Sequence, residues 1–210
     1  VYKFLTQPRE ACVYVTLSFS FRTREEVERF LTFIEKHIKT TYIVNTRLMH
    51  VYVQLEGEEK ELEDAVALVK RLAGLAREGR AVVQIPLLVL FRDAELVRPI
   101  PPDVLADALT FKGLFAEVRG DVLETELGYE EVLKAAETLS KMYEEAERYP
   151  LTPPAKRVVV AYAYAREITI ETAIEELVKA GILNRGAVLS LRRSPEETRR
   201  LLLENLNNRR

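Results

Sequence analysis

Over residues 13–21 apolar and polar side chains alternate without a break. Val13, Val15, Leu17, Phe19 and Phe21 share one parity, and Tyr14, Thr16, Ser18 and Ser20 the other. Successive side chains of an extended chain point to opposite faces, so this pattern predicts a strand with one face buried. The elements that follow supply the cover. Thr23 and Glu26 have capping-box spacing, and Val27, Phe30, Leu31, Ile34 and Ile38 then recur at helical spacing. Residues 41–44 and 48–55 are β-rich runs around a turn expected at Asn45-Thr46-Arg47. After Gly57, an acidic first turn (Glu58, Glu59, Glu61) opens a second helix through Leu62, Val66, Val69, Leu72 and Ala73, ending near Arg77.

The same element order then recurs. Residues 81–91 read as one apolar strand, and Pro86, which cannot donate a ladder hydrogen bond, places it at a sheet edge. Pro102 suits the first turn of a helix running to Lys112, with Gly113 as its stop. Residues 114–118 and 122–127 flank a turn at Gly120-Asp121, and 129–148 have helical apolar spacing. The fold class expected is α+β: tandem β-α-β-β-α units, elements of a ferredoxin-like sandwich, followed by a small C-terminal helical region. The domains expected are a ferredoxin-like β-α-β-β-α-β unit at 1–96, a second α-β-β-α unit at 97–149 and a helical region at 150–210. Whether the 81–91 strand closes the first sheet or opens the second is left open by the sequence.

The last third reads as helices. Residues 150–154 are a Pro-rich break, 155–165 an apolar helix, and Thr169 caps a short helix stopped by Gly181, a helix-turn-helix outline. Leu189 and Leu191 suit a short strand. Ser194-Pro195-Glu196-Glu197 combines an N-cap, a proline at the first helical position and a capping acid before the final helix. Tyr149-Pro150-Leu151-Thr152, then Ala155-Lys156-Arg157, then Ala173-Ile174-Glu175-Glu176-Leu177 before Gly181 resemble an archaeal, crenarchaeal-type family defined only as a domain of unknown function. The resemblance implies an archaeal source and carries no activity or site residues with it.

Composition and charge narrow the function classes. Hydrophobic residues make up 48% and charged residues 30% of the chain, enough for a core and a solvated exterior, which rules out global disorder. Arg outnumbers Lys, and Trp is absent, a usage that fits a thermophile. A lone Cys12 forms no internal disulfide and, lying in an apolar run, reads as a packing residue. Residues 1–9 lack a secretory layout, the first Met is Met49, and no apolar run approaches the roughly 20 residues that cross a bilayer, so a cytoplasmic protein with no membrane partner is expected. The net charge is −2, but residues 121–149 are acidic and 150–210 basic. Most of that asymmetry reads as solvated helix surface.

No chemistry announces itself. Nucleophilic catalysis needs a base beside Ser or Cys, and the two His residues lack motif context: His37 on the polar side of its helix, facing solvent, and His50 on the third strand. There is no Cys pair, His-Glu-x-x-His run, calcium loop or clustered glycine set, so no catalytic residue, metal or cofactor is assigned. The acid pairs Glu130-Glu131 and Glu144-Glu145 point in different directions on a helix and read as solvent-facing. Paired ferredoxin-like units distantly resemble CRISPR-processing endoribonucleases, but the Gly-rich loop which that family carries late in the chain is missing.

A surface remains. If the apolar parity of the first strand faces the helices, Tyr14 and Thr16 face outward, as do His50 and Tyr52 on the third strand, with Arg47 nearby. Base stacking on sheet aromatics is the physical use of such a layout, and Arg192 and Arg193 are the C-terminal arginines expected to add phosphate contacts. The competing expectation is that another part of the chain, a second copy or a protein partner covers this face, with Tyr14 and Tyr52 in the interface. Sequence-specific DNA binding through the helix-turn-helix is disfavoured by Glu171, Glu175 and Glu176 on its second helix. The function expected is a non-catalytic binding or adaptor protein whose partner is single-stranded RNA, a ribonucleoprotein or another protein. The alternative is an enzyme of unrecognised type, such as a metal-independent ribonuclease.

Overall fold

The computed structural model describes residues 13–77 and 82–207, so the readings of Cys12, Ala81 and residues 1–9 lie outside it. The chain divides into two compact units, 1–80 and 81–210. In the first, the order is β1 (Val13–Ser20), α1 (Arg24–His37), β2 (Thr41–Arg47), β3 (His50–Gly57) and α2 (Glu59–Ala76). The strands form one antiparallel sheet in the order β1-β3-β2. Val51, Val53 and Leu55 of the central strand are fully buried with Phe30, Ile34, Val69 and Leu72 of the helices. Phe30 meets the rings of Phe19 and Phe21, each at 5.1 Å between centroids. The expected cap forms: Glu26 N–H donates to Thr23 Oγ1 (3.2 Å), and the Glu26 carboxylate accepts from Arg22 N–H (2.7 Å).

Two local expectations are corrected here. His37 is 3% exposed, not solvent-facing, because the buried stripe of α1 includes Phe33, one turn before it, as well as Phe30 and Ile34. The hairpin turn falls at Leu48-Met49 instead of Asn45-Thr46-Arg47, which pair with Tyr52, Val51 and His50. Three further ladder positions outweigh the turn preference of Asn45, at the cost of a left-handed Leu48 (φ 55°) that is 87% exposed.

The second unit runs β4 (Val83–Pro86), α3 (Leu87–Asp93), α4 (Pro102–Phe111), β5 (Ala116–Arg119), β6 (Val122–Thr125), α5 (Tyr129–Glu145), α6 (Pro153–Arg166), α7 (Ile170–Lys179) and α8 (Pro195–Asn207). Its antiparallel sheet has the order β4-β6-β5, the order of the first sheet repeated. The strand expected over 81–91 stops at Pro86, and the apolar run continues as helix, with Leu87, Val89 and Leu90 buried and Leu88 exposed. A short apolar run cannot distinguish the two by periodicity alone. β4 is an edge strand, as Pro86 requires, and it opens the second sheet. Among the described residues neither sheet has the fourth strand of a ferredoxin-like sandwich, and the division falls at 80/81 instead of 96/97 because β4 pairs with β6.

Residues 150–210 do not stand apart. α6 packs against α4 and α5, α7 against α6, and α8 against α4 and α6. Ala155, Val159, Val160 and Ala163 of α6 are fully buried. Leu189 and Leu191 make isolated bridges to Leu151 and Leu183 in place of a strand. Ser140 Oγ accepts from Arg98 N–H (2.8 Å) and donates to its carbonyl (2.7 Å), pinning the α3–α4 connection to α5. Glu197 N–H donates to Ser194 Oγ (3.2 Å), so the cap of α8 forms. Ser194→Ala is expected to cost about 1 kcal/mol. Because Thr198 and Leu202 bury α8 in its unit, this appears as a lowered thermal midpoint, and an unchanged midpoint would show that the cap contributes nothing.

Candidate nucleic-acid interface

The register of the first sheet places its outward side chains in four rows: Tyr14, Glu56 and Thr41; Thr16, Gln54 and Ile43; Ser18, Tyr52 and Asn45; Ser20, His50 and Arg47. The opposite parity carries the buried valines and leucine of β3, so the helices lie on the other side. Tyr14 is 59% and Tyr52 40% exposed. Tyr52 lies one strand over and four residues along from Tyr14, about 14 Å at ordinary strand spacings, so each ring can stack on a different base.

The face is electrically polar. At one end Tyr14 Oη donates to Glu56 Oε1 (3.1 Å). At the other, Ser20 Oγ lies 2.9 Å from His50 Nδ1, Arg47 pairs with His50 across the ladder, and Arg77 Nη2 donates to the Ser20 carbonyl (3.3 Å). The Arg77 guanidinium also lies over the Phe21 ring, 5.4 Å from its centroid. Arg47 therefore gives the Ser20–His50 end of the face a cationic side chain, and Arg77 lies at the adjoining edge of β1, so a phosphate is best placed at that end.

The sequence-based set is thus only partly brought together. Tyr14, Thr16, Arg47, His50 and Tyr52 share the face. Arg192 and Arg193 belong to the second unit, where Arg193 pairs with Glu197 (2.5 Å). Arg77 was not legible, since it reaches Ser20 from 57 residues away. Gln54 stands outward on β3, as the alternation implies, and Ile43 and Asn45 were legible in principle from the same rule.

The second unit offers a contrast. The outward face of its sheet carries Gln84, Glu117, Arg119 and Glu124, which bond one another: Gln84 to Glu124 at 3.0 Å, and Arg119 to Glu117 at 2.8 Å and to Glu124 at 3.2 Å. Carboxylates without aromatics suit no nucleic acid. A groove of about 380 Å³ lies between α4, β5, α6 and α8, with Asp103, Asp107, Arg157, Glu196 and Arg199 on its rim. Burial raises the Asp107 carboxyl above its usual range against the opposing pull of Arg199, with which it is ion-paired. α7 keeps Glu171 and Glu175 exposed, and Glu176 accepts from Tyr162 Oη (2.7 Å). Among the described residues no group of three or more His, Cys, Asp or Glu is placed to hold a metal, and no helix is long and apolar enough to cross a membrane.

A family model described as "Uncharacterized protein conserved in archaea (DUF2067)" matches residues 19–200. The chain belongs to this family. The match takes in residues of both units, from the end of β1 to the middle of α8; the groove lies within it, whereas Tyr14, Thr16 and Ser18 of the sheet face precede it. No curated protein matches this DUF2067 member by sequence. Among solved structures it is similar to the crystal structure of an a/eIF2alpha–aDim2p–rRNA complex from Pyrococcus horikoshii OT3, at 12% identity over 80% of this chain and 94% of that chain. The TM-score is 0.22, at which the likeness carries no argument.

Proposed function

We propose that this chain is an RNA- or ribonucleoprotein-associated binding protein whose first unit holds single-stranded RNA across the outward face of its sheet. The observation that supports the reading is the joint exposure of Tyr14 and Tyr52 on one face with Arg47 and His50 at one end of it. Two rings give sequence-tolerant stacking, and the basic end gives a phosphate contact and a polarity to the bound strand. The test is fluorescence anisotropy with mixed-sequence RNA at two salt concentrations. Binding at low salt that weakens with salt is expected, with Arg47→Ala reducing the salt slope by about one contact's share. No binding at low salt would remove the proposal.

One observation favours a second reading, an enzyme: the groove of the second unit brings Asp107, raised by burial, beside Arg199, with Arg157 and Asp103 on the same rim. A carboxyl of that kind can act as a general acid. Cleavage of RNA by the wild type but not by Asp107→Asn would move the function there.

A further inference from the structure

Among the described residues, the edge of β1 that faces away from β3 is the least protected strand edge. Proteins guard exposed edges with shortness, proline or charge. β4 has four residues and ends in Pro86, β5 has four with Glu117 and Arg119, and β2 carries Asn45 and ends in Arg47. β1 has eight residues, Val-Tyr-Val-Thr-Leu-Ser-Phe-Ser, with no charge, proline or glycine, and pairs in unbroken register with β3 alone among the described residues.

The direction of its backbone groups is fixed by one bond. Phe21 N–H donates to the Met49 carbonyl (2.9 Å), continuing the ladder of β1 with β3. In an antiparallel pair alternate residues turn both N–H and C=O to the same neighbour, so the odd-numbered residues of β1 bond β3. The even-numbered ones point away from β3. The Ser20 carbonyl there already accepts from Arg77. Among the described residues, Thr16 and Ser18 have no partner for these N–H and C=O groups.

We propose that β1 pairs with β1 of a second copy of this chain, antiparallel about a two-fold axis at Leu17. This register sets Thr16 opposite Ser18 of the second copy, twice, so the four unpartnered groups on each chain form four backbone hydrogen bonds. On the helix side it sets Leu17 opposite Leu17 and Val15 opposite Phe19, apolar against apolar, and covers three side chains that one chain leaves half-buried. A different partner strand would have to match both parities; this strand matches itself, and with no charge on it the two-fold brings no like charges together. The product is a six-stranded sheet ordered β2-β3-β1-β1-β3-β2. The pairing does not rest on the RNA reading: it uses the backbone edge of β1, although the Thr16 and Ser18 side chains also stand on the outward face.

The test uses the full chain and charge swapping at the two exposed, outward-facing positions. Sedimentation equilibrium over a concentration series should show a dimer for the wild type. T16K/S18K sets like charges opposite each other across the axis, as does T16E/S18E, and each should weaken self-association by about tenfold or more. An equimolar mixture of the two should recover dimer, a result that a mere loss of folding cannot give, and the thermal midpoint of each variant checks its fold. A monomeric wild type throughout the series, or self-association unchanged in both charged variants, overturns the proposal.

Discussion

Ending the chain at Tyr149 is expected to unfold the second unit and leave the first folded. Removing 150–210 strips α6 from α4 and α5 and removes Val159, Val160, Ile170, Leu177 and Leu183, each at most 1% exposed. Each such side chain contributes about 1.5–3 kcal/mol of burial, and together they match or exceed the roughly 5–15 kcal/mol by which whole domains are stable. The first unit has its own core in Phe30, Val53, Leu55 and Leu72 and loses nothing within it. Amide exchange separates the outcomes: protection should persist in β1, β3, α1 and α2 and vanish from β4, β6 and α5. Protection retained in β6 and α5 would mean that α6–α8 are an accessory layer instead of part of that core.

The second large effect is on binding. Tyr14→Ala with Tyr52→Ala should weaken single-stranded RNA binding by a factor of about ten or more, since each base stacked on an aromatic is worth roughly 1–3 kcal/mol. Both rings are exposed, so the double variant should keep the thermal midpoint of the wild type within the small range of surface changes. Its salt slope should also match the wild type, because the phosphate contacts remain. Equal binding by the double variant and the wild type would take the site off this face. Arg192→Ala with Arg193→Ala should then be compared, since those residues lie in the other unit.

What could be read without a structure was whatever depends on near neighbours along the chain. Alternation at 13–21 put Tyr14 and Thr16 on one face, and the same rule on β3 put His50 and Tyr52 there. Thr23 with Glu26, Thr169 with Thr172 and Ser194 with Glu197 formed the caps their spacing implies. These follow from strand pleat, helix pitch and unsatisfied end groups, which act over a few residues.

Only the tertiary structure decided which distant surfaces meet. The sequence of 81–91 suits a strand of either sheet, and Val83–Pro86 joined β6 because that pairing completes a second sheet. The 87–93 stretch became a helix because one of its faces was then buried. His37, polar by type, went inside because the helix stripe that packs is set by what lies beneath it. Arg77 came to the Ser20 end of β1, and Asp107 to Arg199, through contacts across 57 and 92 residues. Periodicity tells which residues share a face; which face meets which is settled by the free energy of burying them together, and that sum belongs to the whole fold.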